Sequence, residues 1–135
     1  MIILNGYFLA AAVICFLLGL VHSVLGEKLI FRRWRQTHRH QQIPIISTNL
    51  FLESRIGIIW ASWHLVSIFG WAIGAVLLYL SLAAPAPVLI NFIAHTVAIA
   101  SLAGAICVFI GTRAKHPGWV GLLAIAVCAW LGNVG

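Results

Sequence analysis

A four-helix transmembrane bundle is the fold this sequence predicts, and three observations predict it. The 135 residues are 63% hydrophobic and only 7% charged, with a mean hydropathy of +1.09, whereas a soluble domain carries about 25% charged residues. The eight basic and two acidic residues lie only between Glu27 and Arg55 and between Arg113 and Lys115. Finally, the uncharged stretch from Ile56 to Thr112 is too long for one span, and prolines interrupt it near its middle.

The first helix is expected over about residues 2–26. It carries no formal charge from Ile2 to Gly26 and exceeds the roughly 20 apolar residues that cross a 30 Å hydrocarbon layer. A cleaved signal peptide has a positive n-region and an apolar run of about 7–15 residues, and this segment has neither feature. Residues 27–49 read as a basic loop. Its first part, Glu27 to Arg35, mixes Leu29, Ile30, Phe31 and Trp34 with Lys28, Arg32, Arg33 and Arg35, so it is expected to extend the first helix along anionic lipid headgroups. Such contacts contribute about 1 kcal/mol per basic residue. Pro44 marks a connector, with Ser47, Thr48 and Asn49 as caps for a second helix over about 50–81.

Ala83-Ala84-Pro85-Ala86-Pro87 forms the next turn, because proline lacks a backbone donor and disfavours helix in the residue before it. A third helix is expected over 88–112. After Arg113-Ala114-Lys115-His116, Pro117 suits the first turn of a shorter fourth helix over 117–134. Four spans place every Lys and Arg on one side, which the positive-inside rule makes cytoplasmic. Both termini then lie on the non-cytoplasmic side of an inner, or plasma, membrane. If the fourth helix merely lay at the surface, the C-terminus would fall inside instead. Trp119 suits an interfacial anchor in either arrangement.

A net charge of +6 and a pI near 10.1 come from local clusters, so a nucleic-acid partner is not expected. Cys15, Cys107 and Cys128 sit in apolar runs without C-x-x-C spacing. They read as small buried residues, neither a disulfide framework nor a zinc motif.

Ionisable groups in a membrane are costly and therefore mark sites. No Asp, Glu, Lys or Arg falls deep in a span, which counts against a carboxylate-driven antiporter. Histidine remains: His22 near the end of the first helix, His64 in the second, His95 in the third and His116 at the mouth of the fourth. At about 1.5 Å per residue, His64 lies roughly 13 Å and His95 roughly 25 Å from the cytoplasmic edge. Only His22, His64 and His116 share the cytoplasmic half. Trp60, His64, Ser67 and Trp71 recur at helical spacing on one face, as do Cys15, Gly19, His22 and Gly26. If those faces pack, Ser23 and Ser67 join the imidazoles in a polar cluster bordered by Glu27 and Glu53.

Neutral imidazole suits transition metals and haem iron, so His22, His64 and His116 form a candidate metal set. No H-x-x-x-H, H-x-x-H-H or H-E-x-x-H motif reinforces it. His38 and His40, flanked by arginines, read as a solvated loop. A second reading is a proton or small-solute path, since histidine titrates near physiological pH and Ser23, Ser67, Asn91 and Thr96 supply hydrogen bonds. Asn91 and His95 would form its outer portion. A chain this small would oligomerise to enclose such a path, and Gly70 and Gly74 form a G-x-x-x-G contact motif whose simpler use is packing inside the bundle. Catalysis has the least support, because His22 or His64 with Glu27 or Glu53 would supply a base but nothing marks a nucleophile. The leading expectation is a non-catalytic structural or accessory subunit of a larger membrane complex. There each histidine satisfies a neighbouring helix, a contact worth about 0.6 kcal/mol.

Overall fold

The computed structural model describes residues 4–32, 46–83 and 85–134, with side chains in the second stretch from residue 57 onward. The chain is all-helical over these residues. Helix α1 spans Gly6–Leu25 and runs into a π-helical segment, Gly26–Phe31; α2 spans Ile46–Leu82, α3 Pro87–Gly111 and α4 Gly118–Val134. Three stretches are long and apolar enough to cross a membrane: Gly6–Phe31, Gly57–Leu82 and Pro87–Gly111. The fourth helix has 17 residues, about 25 Å of rise.

Several boundaries differ from the sequence expectation. Helix α1 starts at Gly6 rather than at residue 2, because the Asn5 carboxamide oxygen accepts the backbone N–H groups of Tyr7 (3.1 Å) and Phe8 (3.2 Å) and caps it. The first residues of the expected loop 27–49 are helical through Phe31. Helix α2 begins at Ile46 rather than at 50, with Ser47, Thr48 and Asn49 inside it. These residues cost a helix only a few tenths of a kcal/mol each, too little to fix a boundary. The turn before α3 follows the prolines, with Pro87 in the first turn of the helix. At the other end of α3, Arg113 (φ 51°) and Ala114 (φ 60°) adopt left-handed conformations, and the Ala114 N–H returns to the Phe109 carbonyl at 2.8 Å to close the helix.

The chain divides into two compact units. One comprises residues 1–18 and 70–135. Its core gathers Phe8, Ala11, Ala12, Cys15, Leu77, Leu80, Ala94, Val97, Ala98, Ile125 and Ala129. Alanines dominate because small side chains let helices approach closely where the surroundings are apolar. Gly74 belongs to this pattern: a Cβ there would lie 3.1 Å from Cβ of Cys15. Gly70, the other half of G-x-x-x-G, has nothing within 4 Å, so only one of the two glycines serves packing.

Within this unit neighbouring helices run antiparallel. The Asn5 N–H donates to the Ser81 carbonyl (3.1 Å), while further along α1 the Trp71 indole donates to the Phe16 carbonyl (3.2 Å). Between α3 and α4, Asn133 donates to Asn91 (3.1 Å). The rings of His95 and Trp130 meet at 5.0 Å, and those of Phe109 and Trp119 at 5.3 Å. Helix α4 therefore runs beside α3 from Phe109 to Asn91. With Ile125, Ala126, Ala129 and Gly132 buried, it packs as a full member of the bundle.

Candidate functional site

The second unit, residues 19–69, holds the polar residues of α1 and the first part of α2. Its geometry begins at Gly26, whose missing side chain leaves room for an indole. A Cβ at Gly26 would overlap the Trp63 ring. With that space open, Trp63 donates its Nε1–H to the His22 carbonyl at 2.9 Å. It also stacks on the His22 imidazole at 4.2 Å with only 6° between planes. From Gly26 the backbone widens, and the Arg32 N–H bonds the Glu27 carbonyl five residues back. Glu27 and Phe31, four residues apart, share a face toward α2. Phe31 is buried, 6.1 Å from the Trp63 ring and 6.4 Å from that of His64. Short π-helical segments of this kind are rare and concentrate at functional sites.

His64 is the centre of the arrangement. Its Nδ1 lies 2.8 Å from Oγ of Ser23, and its Nε2 lies 4.0 Å from Oε2 of Glu27. The Trp60 indole donates to the same carboxylate oxygen at 3.1 Å and meets the His64 ring edge-on at 4.6 Å. A neutral imidazole carries one N–H. Placing it on Nε2 offers a donor toward the carboxylate and leaves Nδ1 to accept the Ser23 hydroxyl proton, whereas the other tautomer sets acceptor against acceptor.

Nε2 of His64 and Oγ of Ser67 are buried and make no hydrogen bond. Ser67 follows His64 by one turn on the same face of α2 and is 2% exposed. Buried polar atoms are paired in the large majority of cases, so two exceptions on one helical face require an explanation.

His116 belongs to the first unit, where its Nδ1 accepts the Gly118 N–H at 3.0 Å. Among the described residues no group of three or more His, Cys, Asp and Glu side chains is arranged to hold a metal ion. Lys28 and Arg32 are exposed at the end of the π-helical segment. Arg33, Trp34 and Arg35, and the side chain of Glu53, lie outside the described residues. Two contributors went unnominated in the sequence, Trp63 and Phe31. Trp63 falls beside the Trp60, His64 and Ser67 stripe, and Phe31 stands four residues after Glu27 on the face toward α2. The signal available for Trp63 was its place beside His64 in a span holding several tryptophans. Comparison with protein-family models, with curated proteins and with solved structures finds no match.

Proposed function

We propose that this chain is a multi-pass inner-membrane protein whose working part is a histidine-centred polar site handling protons or a small hydrogen-bonding solute. In this reading both termini face the non-cytoplasmic side, and the His64 site lies in the cytoplasmic half beside the basic residues. One observation carries the reading: His64 links Ser23 through one ring nitrogen and presents the other, buried and unpartnered, toward Glu27. A histidine kept only for packing has no reason to leave a ring nitrogen unpaired in a low-dielectric setting. The accessory-subunit reading rests on outward apolar residues such as Val88 and Phe92. Lipid chains cover these equally well, and that reading leaves Nε2 unexplained.

The test is purification into lipid vesicles with a pH-sensitive dye inside and an imposed pH gradient. Wild-type protein should carry protons faster than protein-free vesicles, and His64→Gln should reduce the rate to the protein-free level while keeping the helical content. A wild-type rate equal to that of empty vesicles would refute proton handling.

A further inference from the structure

We infer that Nε2 of His64 and the Glu27 carboxylate form a site for one divalent transition-metal ion such as zinc. The site uses the same histidine as the proton-handling reading and goes beyond it, because one lone pair takes either a proton or a cation. Nε2 is buried and makes no hydrogen bond, and the facing oxygen, Oε2 of Glu27, is 4.0 Å away. No direct hydrogen bond spans that distance, whichever tautomer the ring adopts. A metal ion does. Zinc lies about 2.0–2.1 Å from an imidazole nitrogen and about 2.0–2.2 Å from a carboxylate oxygen, so an ion midway between the two atoms meets both at bonding distance and needs no cavity beyond the gap itself. Tetrahedral angles set two such ligands about 3.4 Å apart, an approach of about 0.6 Å that rotation of the Glu27 side chain supplies.

Both ligands are supported from behind in the way metal ligands usually are. A ligating histidine donates its second ring N–H to a neighbouring acceptor, which fixes the tautomer and the ring orientation. Oγ of Ser23, 2.8 Å from Nδ1, is that acceptor. With the proton on Nδ1, the lone pair of Nε2 faces the carboxylate; a cation between them turns two opposed acceptors into two ligands. Ser81, Thr96 and Thr112 donate to carbonyls of their own helices, whereas the Ser23 hydroxyl meets an imidazole on another helix. The carboxylate is oriented too, since the Trp60 indole donates to Oε2 at 3.1 Å and a carboxylate oxygen keeps a second lone pair for a cation. The Glu27 side chain is 40% exposed, so the ion enters from the carboxylate side, and solvent water fills the positions that two protein ligands leave open. Lys28 and Arg32 are exposed as well, and water and salt screen their charges from the ion.

Equilibrium dialysis of chelator-stripped, full-length protein in lipid nanodiscs against zinc alone tests the site. Wild-type protein should bind one zinc per chain. His64→Gln and Glu27→Gln should each weaken that binding at least tenfold, and Ser23→Ala about tenfold, the lower end of what losing such a supporting partner costs. Glu27→Gln keeps the size of the side chain, and unchanged helical content ties its loss of binding to the carboxylate. His116→Gln, and His38→Gln combined with His40→Gln, should bind zinc as the wild type does. In the zinc-loaded protein, nitrogen-15 NMR should find the His64 ring proton on Nδ1. Zinc binding that survives both His64→Gln and Glu27→Gln would overturn the site, as would a ring proton on Nε2 in the loaded protein. The vesicle assay separates this site from the proton reading. One zinc per chain with proton flux at the protein-free level would leave the site standing and sink proton handling, whereas flux above that level without zinc binding would sink the site alone.

Discussion

The Ser23 hydroxyl and Nδ1 of His64 are 41 positions apart in sequence and 2.8 Å apart in space. Because the donor sits on α1 and the acceptor on α2, this bond fixes the register between the two helices within their unit. Trp63 reinforces the same register one residue away on each helix, by its bond to the His22 carbonyl. Hydrogen bonds between membrane helices contribute about 0.6 kcal/mol on average and up to about 1.7. Ser23→Ala should therefore destabilise the protein by about 0.6–1.7 kcal/mol, read from detergent unfolding followed by tryptophan fluorescence. Stability unchanged within error would mean that the bond is replaced or is not formed in the membrane.

Gly26 makes a sharper prediction. A Cβ at this position would lie 2.5 Å from Cε2 and 2.7 Å from Cδ1 of Trp63, a rigid ring in contact with Phe31 and His22. Overpacking of this kind costs about 1–3 kcal/mol. Gly26→Ala should lose that much stability, and combining it with Trp63→Phe should cost less than the sum of the two single changes. The double-mutant cycle checks this, and strict additivity would place the indole away from Gly26.

How far the sequence reveals this arrangement depends on which physical signal each part leaves. Helix ends at Leu82 and Pro87 were readable because proline acts through its own backbone. The polar residues of the second unit were readable as candidates because a histidine in an apolar run stands out, and helical spacing places His64 with Ser67 on one face. The π-helical turn leaves no such mark. Gly26-Glu27-Lys28-Leu29-Ile30-Phe31 has the composition of any helix end near a headgroup, and the space that Gly26 leaves for the Trp63 ring shows only in the fold. Grouping His116 with His22 and His64 rests on depth along a helix axis alone, which says nothing about lateral position; within its own unit His116 accepts the Gly118 N–H in a local turn. The start of α1 differs from residue 2 because hydrophobicity does not mark a helix end, whereas the Asn5 cap does.

Ala114 carries a cost that the protein can be relieved of. Its φ of 60° places a Cβ in the left-handed region, at about 1–2 kcal/mol for an L-residue, and glycine is the usual occupant at such a helix end. Ala114→Gly should stabilise the protein by about 0.5–1 kcal/mol, since glycine's greater freedom in the unfolded chain offsets part of the relief. Thermal unfolding in detergent would show this as a raised Tm; a lowered Tm would mean that residue 114 is not left-handed in solution.

Sidedness follows from counting crossings. Helix α4 is shorter than a full span, but it lies beside α3 from Phe109 to Asn91, and its end is held there by the Asn133 to Asn91 bond. A helix that merely rested at the surface would diverge from α3 within a turn or two, so the fourth segment should cross with the third. The start of α3 and the end of α4 are then on the side opposite Lys115. In protein lacking Cys15, Cys107 and Cys128, single cysteines at Ala86, Lys115 and Val134 should react with a membrane-impermeant maleimide from different sides. Ala86→Cys and Val134→Cys should label in intact cells, and Lys115→Cys only after the membrane is opened. Labelling of Val134→Cys together with Lys115→Cys would place α4 on the surface and reduce the crossings to three. Labelling of Lys115→Cys alone in intact cells would invert the topology.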